Sequence, residues 1–152
     1  MIDGHKLAMA LRTAYLAFHR RADAALARHH VTADQFVVMA LLNDGEAVTQ
    51  RELARRAESD PNTIRAMLLL LEKRGLITRR AHPTDARARM VTLTAKGRKV
   101  HKEVWAAGEP VRAMLLDALG SDEANALLRS LRSVSRAMRS AGPDTTTAEL
   151  AG

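Results

Sequence analysis

Cysteine is absent from this sequence. That one absence removes disulfides, thiol redox sensing, cysteine nucleophiles and cysteine-ligated zinc, and it suits a reducing cytoplasm. Aromatic residues are scarce at 3% of the 152 positions, with Trp105 and Tyr15 the sole Trp and Tyr. A chain rich in Leu and Ala, and poor in aromatic and β-branched residues, favours helices over sheets. No apolar run approaches the roughly 20 residues of a membrane span, and no signal-peptide pattern follows residues 1–6. A cytoplasmic protein without membrane contact is expected. Phosphate-binding glycine loops, nucleophile elbows and His-x-x-x-His spacings are also missing. His29 and His30 are adjacent, so on a helix they point to different sides and chelate poorly. Neither catalysis nor a metal or other cofactor is expected.

Positive charge and apolar helix stripes are what the chain does have. It is 47% hydrophobic, enough for a packed core, and carries a formal charge of +7. The charge is uneven: residues 49–102 hold fourteen basic and five acidic side chains, a net +9, leaving the flanks at −2. A basic centre between nearly neutral arms points to a polyanionic partner.

Apolar periodicity predicts a helix over residues 5–29, with Leu7, Leu11, Tyr15, Phe18, Ala22 and Leu26 on one stripe. Thr32 and Gln35 form a capping box ahead of a buried helix from Phe36 to Leu42, which Asn43-Asp44-Gly45 ends. A second capping box, Thr49 with Glu52, opens a short helix to about residue 57. Asp60 and Pro61 supply the cap and first turn of another, which runs to Arg74 and stops at Gly75. Residues 76–80 and 89–93 read as strands around the turn-rich His82-Pro83-Thr84-Asp85-Ala86. Thr94 caps a helix over residues 95–119 that Pro110 should bend. Gly120 breaks the chain before a last helix to about Ser140.

A helix pair at residues 49–57 and 60–74 is a weak signal alone, since any bundle contains one. A basic hairpin directly after it makes a winged helix-turn-helix, and the fold class expected is mainly α (α+β). Such a second helix enters the major groove of double-stranded DNA with its N-terminal residues at base edges. Asn62, Thr63, Arg65 and Ala66 are the candidates, because Asn can bridge adenine, Arg can pair with guanine and an apolar contact suits the thymine methyl. Leu69 and Leu70 are assigned to packing. Arg87 at the hairpin tip is assigned to the minor groove, with Asp85 expected to fix its guanidinium. Arg79, Arg80 and Arg89 are assigned to phosphates. Tyr15, Phe18, Met39 and Trp105 are candidates for a ligand cavity, or for ordinary core.

The run Asp85-Ala86-Arg87-Ala88-Arg89-Met90-Val91-Thr92-Leu93-Thr94-Ala95-Lys96-Gly97 resembles the wing signature of the MarR family, and Leu71-Glu72-Lys73-Arg74-Gly75-Leu76-Ile77 resembles the end of that family's recognition helix. Ala86 stands where the family usually has a second Arg. The resemblance implies a homodimer in which residues 1–140 form one winged-helix domain. Residues 49–93 would be the helix-turn-helix and wing, residues 5–29 and 95–140 the dimerisation helices, and residues 141–152 a disordered tail. It also implies a repressor on a pseudo-palindromic operator, released in many members by a small aromatic or anionic ligand. A constitutive or architectural DNA-binding protein without a ligand fits the same residues.

Overall fold

The computed structural model describes residues 1–141, so the expected disorder of the tail falls almost entirely outside the described residues. The chain forms two compact units, Met1–Val111 and Arg112–Gly152. Helix α1 (Gly4–Leu26) starts at Asp3, whose carboxylate accepts from the His5 amide. A 3-10 turn, Ala27–His29, prolongs it, and His30, at a φ of 55°, reverses the chain. Helix α2 (Ala33–Leu42) opens on the expected Thr32–Gln35 capping box, both halves of which form. Asp23 on α1 accepts from the Ala33 amide at 2.7 Å and sets the angle between the two helices. Helix α2 is not buried all round as its composition suggested: Val38, Met39 and Leu42 face the core, whereas Val37 is exposed.

Strand β1 (Val48–Thr49) leads into helix α3 (Gln50–Arg56), followed by α4 (Pro61–Lys73), the wing strands β2 (Ile77–Ala81) and β3 (Arg89–Leu93), and α5 (Ala95–Ser140). The sheet is antiparallel in the order β1-β3-β2, with Val48 opposite Val91 and Ile77 opposite Leu93. Strand β1 was not foreseen. Only half of the second capping box forms: Thr49 accepts from the Glu52 amide, but the Glu52 carboxylate turns outward to Arg55 and Arg56. Those two bonds hold its pKa down to about 2. Gly120, at φ 72° and ψ 166°, interrupts α5 where the sequence predicts a break.

The core gathers Val38, Met39 and Leu42 of α2, Leu53 of α3, Ile64, Leu68 and Leu71 of α4, Leu76 just before β2, Ile77 and Val91 of the sheet, and Val104 of α5. The start of α5 is stitched to the base of the wing. The Thr94 amide donates to the Leu76 carbonyl, the Thr94 hydroxyl donates to the Gly75 carbonyl at 2.6 Å, and that hydroxyl accepts from the Gly97 amide. This brings Gly97 so close to β2 that a Cβ there would lie 1.9 Å from the Leu76 carbonyl oxygen.

Candidate nucleic-acid interface

Helix α4 is positioned by three buried residues and capped so that its first turn faces out. Asp60 accepts from the Thr63 amide at 2.9 Å and from the Thr63 hydroxyl, which keeps the Asp60 carboxyl ionised below its ordinary pKa. Ile64, Leu68 and Leu71 point inward, leaving Asn62, Thr63, Arg65 and Ala66 exposed. Leu69 and Leu70 depart from the packing role expected of them, at 46% and 55% exposed. A turn of about 100° per residue puts both on the side opposite Leu68 and Ile64.

The wing has a firm base and a tip held by local bonds. Thr78 and Thr92 pair across the strands through their hydroxyls at 2.9 Å. At the tip, His82 Nδ1 accepts from the Thr84 and Asp85 amides. Asp85 accepts from the Arg87 backbone amide at 3.0 Å. It therefore shapes the turn and does not fix the guanidinium as the sequence suggested. Arg80, Arg87 and Arg89 are exposed, and no side-chain hydrogen bond or ion pair holds them among the described residues.

Arg79 has other work than the phosphate contact assigned to it. Its guanidinium forks onto Glu72 at 2.9 and 3.2 Å and also donates to Gln50, and its side chain is only 19% exposed. It braces β2 against the end of α4 and the start of α3. The alternation along β2 carried this signal: Arg79 shares the inner face with Ile77, and Arg80 takes the outer one. The Arg79 bond lowers the Glu72 pKa below its ordinary 4.5. The pair is thus intact above pH 4.5 and loosens only as the pH falls below that. Arg79→Ala should lower stability by about 1–2 kcal/mol and leave the salt dependence of DNA binding unchanged. Arg80→Ala should leave the melting temperature unchanged and reduce that dependence by about 0.9 for each phosphate no longer neutralised. Parallel salt titrations and thermal melts of the two variants separate brace from contact.

The four candidate cavity residues do not share one environment. Met39 is wholly enclosed in the core, Phe18 is half-buried, and Tyr15 and Trp105 are half exposed. Trp105 instead joins Phe36 and His101, whose rings stack within 3° of parallel. Burial pushes the His101 pKa down, so the ring is neutral at pH 7. Sequence reading missed this set, because Phe36 and His101 are 65 positions apart. It also missed Arg74, whose guanidinium donates to the His29 and His30 carbonyls and ties the end of α4 to the end of α1. Lys96 and Arg98 are likewise engaged, on the Arg74 and Leu93 carbonyls.

Known proteins similar to this chain include transcriptional regulators. Residues 31–88 match the family model described as MarR family. The transcriptional regulator HosA of Escherichia coli O111:H- is 32% identical over 70% of this chain and 79% of its own length. The HTH-type transcriptional repressor Rv2887 of Mycobacterium tuberculosis is 31% identical over 71% of this chain and 78% of its own. Among solved structures, a mutant MarR from E. coli complexed with operator DNA superposes with a TM-score of 0.79 at 25% identity, covering 85% of this chain and 93% of that one. The transcriptional repressor CouR bound to a 23-mer DNA duplex gives 0.78 at 28% identity, over 89% and 99%.

Proposed function

From the premise that the chain belongs to the MarR family, we propose that it is a cytoplasmic transcriptional repressor that binds a pseudo-palindromic DNA operator as a homodimer. One observation carries the reading: within one compact unit, α4 exposes its N-terminal half beside a wing whose Arg80, Arg87 and Arg89 have no internal partner among the described residues. Asn62, Thr63, Arg65 and Ala66 meet base edges in the major groove. Arg87 enters the adjacent minor groove from a turn shaped by Asp85, and Arg80 and Arg89 neutralise phosphates. Dimerisation is supported by apolar residues left exposed on α1 (Leu7, Met9, Leu11, Tyr15) and along residues 114–138 (Leu115, Leu128, Leu131, Val134). Light scattering at micromolar concentration should give twice the chain mass.

Footprinting on the promoter region of the chain's own gene tests the function. A protected site with two half-sites about one helical turn apart is expected. On that site, Arg65→Ala should cost about 1–3 kcal/mol and leave random-sequence binding unchanged, if the contact is bidentate to guanine. Arg87→Ala should weaken every site, most where the flanks are A·T-rich. Equal losses for Arg65→Ala on operator and random DNA would reassign it to a phosphate. Release by a small aromatic or anionic ligand is a separable part of the proposal. The half-buried Phe18 and the Phe36–His101–Trp105 set support it, and a thermal-shift screen followed by a DNA-release assay reads it.

A further inference from the structure

Helix α4 has an apolar outer face that is left exposed among the described residues. Ala66 lies opposite the core residues Ile64, Leu68 and Leu71, with Leu69 and Leu70 about 60° and 40° to either side of it. Asn62 and Lys73 lie within about 40° of the same line. The face thus begins with an amide, continues through three apolar side chains and ends on a cation. No free carboxylate stands on it: Asp60 is held by Thr63, and Glu72 by Arg79.

The face is continuous with the residues assigned to base edges, so its occupant is the same major groove. Charge disfavours a second copy of the chain here, because residues 49–102, which surround this face, carry +9 and would meet themselves. The groove edge offers one apolar group, the C5 methyl of thymine. We propose that Ala66, Leu69 and Leu70 read thymine methyl groups, making the second half of α4 selective for thymine at the positions beneath it. The small Ala66 admits the base edge closely, and the two leucines close over the methyls on either side. This rests on the DNA-binding reading and names the bases that the reading leaves open.

The test begins with duplexes selected by the protein from a random-sequence pool. Each selected half-site should contain thymines that deoxyuridine can replace, which removes the methyl and keeps the pairing. Affinity should fall about three- to fivefold for each methyl removed beneath the helix, the equivalent of one buried carbon. Leu69→Ala and Leu70→Ala should each bind the thymine and deoxyuridine duplexes more nearly alike than the unaltered protein does. Their melting temperatures should not fall, because both side chains are exposed and alanine favours helix. Equal affinity of the unaltered protein for the two duplexes would overturn the proposal, as would a thymine preference that survives both substitutions. In either case selective binding persists and the function stands. If the pool yields no preferred sequence at all, the function falls with it.

Discussion

Raising the salt from about 50 to about 200 mM should weaken operator binding on the order of a thousandfold or more. The size of the effect follows from which cations are free. Of the fourteen basic side chains in residues 49–102, Arg55 and Arg56 pair with Glu52, Arg79 with Glu72, and Arg74, Lys96 and Arg98 cap backbone carbonyls. The other eight have no such partner among the described residues: Arg51 at the start of α3 and Arg80, Arg87 and Arg89 on the wing are counted against phosphates, whereas Arg65 is assigned to a base edge and Lys73, Lys99 and Lys102 lie further along α4 and α5. Three or four phosphates per protomer make six to eight per dimer, and at about −0.9 each the log–log slope is roughly −5 to −7. Counting Arg79 and the cations that open α5 would give a steeper one. Anisotropy isotherms on a footprinted site measure it directly. A slope near zero would mean that the basic segment is a solvated surface and that the chain does not bind DNA in this way.

The largest effect of a single substitution on stability is expected at Gly97. Its neighbour is backbone, the Leu76 carbonyl, with the carbonyl carbon 2.9 Å and the oxygen 1.9 Å from where a Cβ would stand. No rotamer change relieves that overlap. Helix α5 must move away from β2, and the Thr94 bonds to Gly75 and Leu76 must lengthen with it. Gly97→Ala should therefore destabilise the protein by about 3 kcal/mol or more, a fall in Tm on the order of 10 °C for a chain of this size. Gly4→Ala is the matched control, since a Cβ there meets nothing within 4 Å. A Gly97→Ala protein melting within about 2 °C of the parent would show that the approach of α5 to β2 is not tight.

Local chemistry was the legible part of the sequence. Thr32 with Gln35, Asp60 with Pro61, and Gly75 announce helix ends because each satisfies a nearby backbone group. The two wing strands follow from apolar alternation between turn residues. Strand β1 escaped because two residues cannot display an alternation, and its pairing with β3 spans more than forty positions. The Thr49–Glu52 box failed in half because Arg55 and Arg56 compete for the same carboxylate, a contest that a motif match does not weigh. Val37, Leu69 and Leu70 were assigned to packing by residue type, whereas helix rotation decides which side of α2 and α4 meets the core. The assignment of Arg79 to phosphate followed its charge and ignored its register.

The stitching at Thr94 also divides the wing in time. At the base, the Thr94 amide is bonded to the Leu76 carbonyl, and the two part only when β2, β3 and α5 separate together. Its proton should exchange with solvent at the rate set by opening of the whole unit. At the tip, the Thr84 and Arg87 amides are held only by His82 and Asp85, two residues away, and exposed to water. Those protons exchange through small local openings, many times for each opening of the base. The hairpin is thus an anchored finger: its root keeps the helices in register while its end samples the shapes that a groove presents.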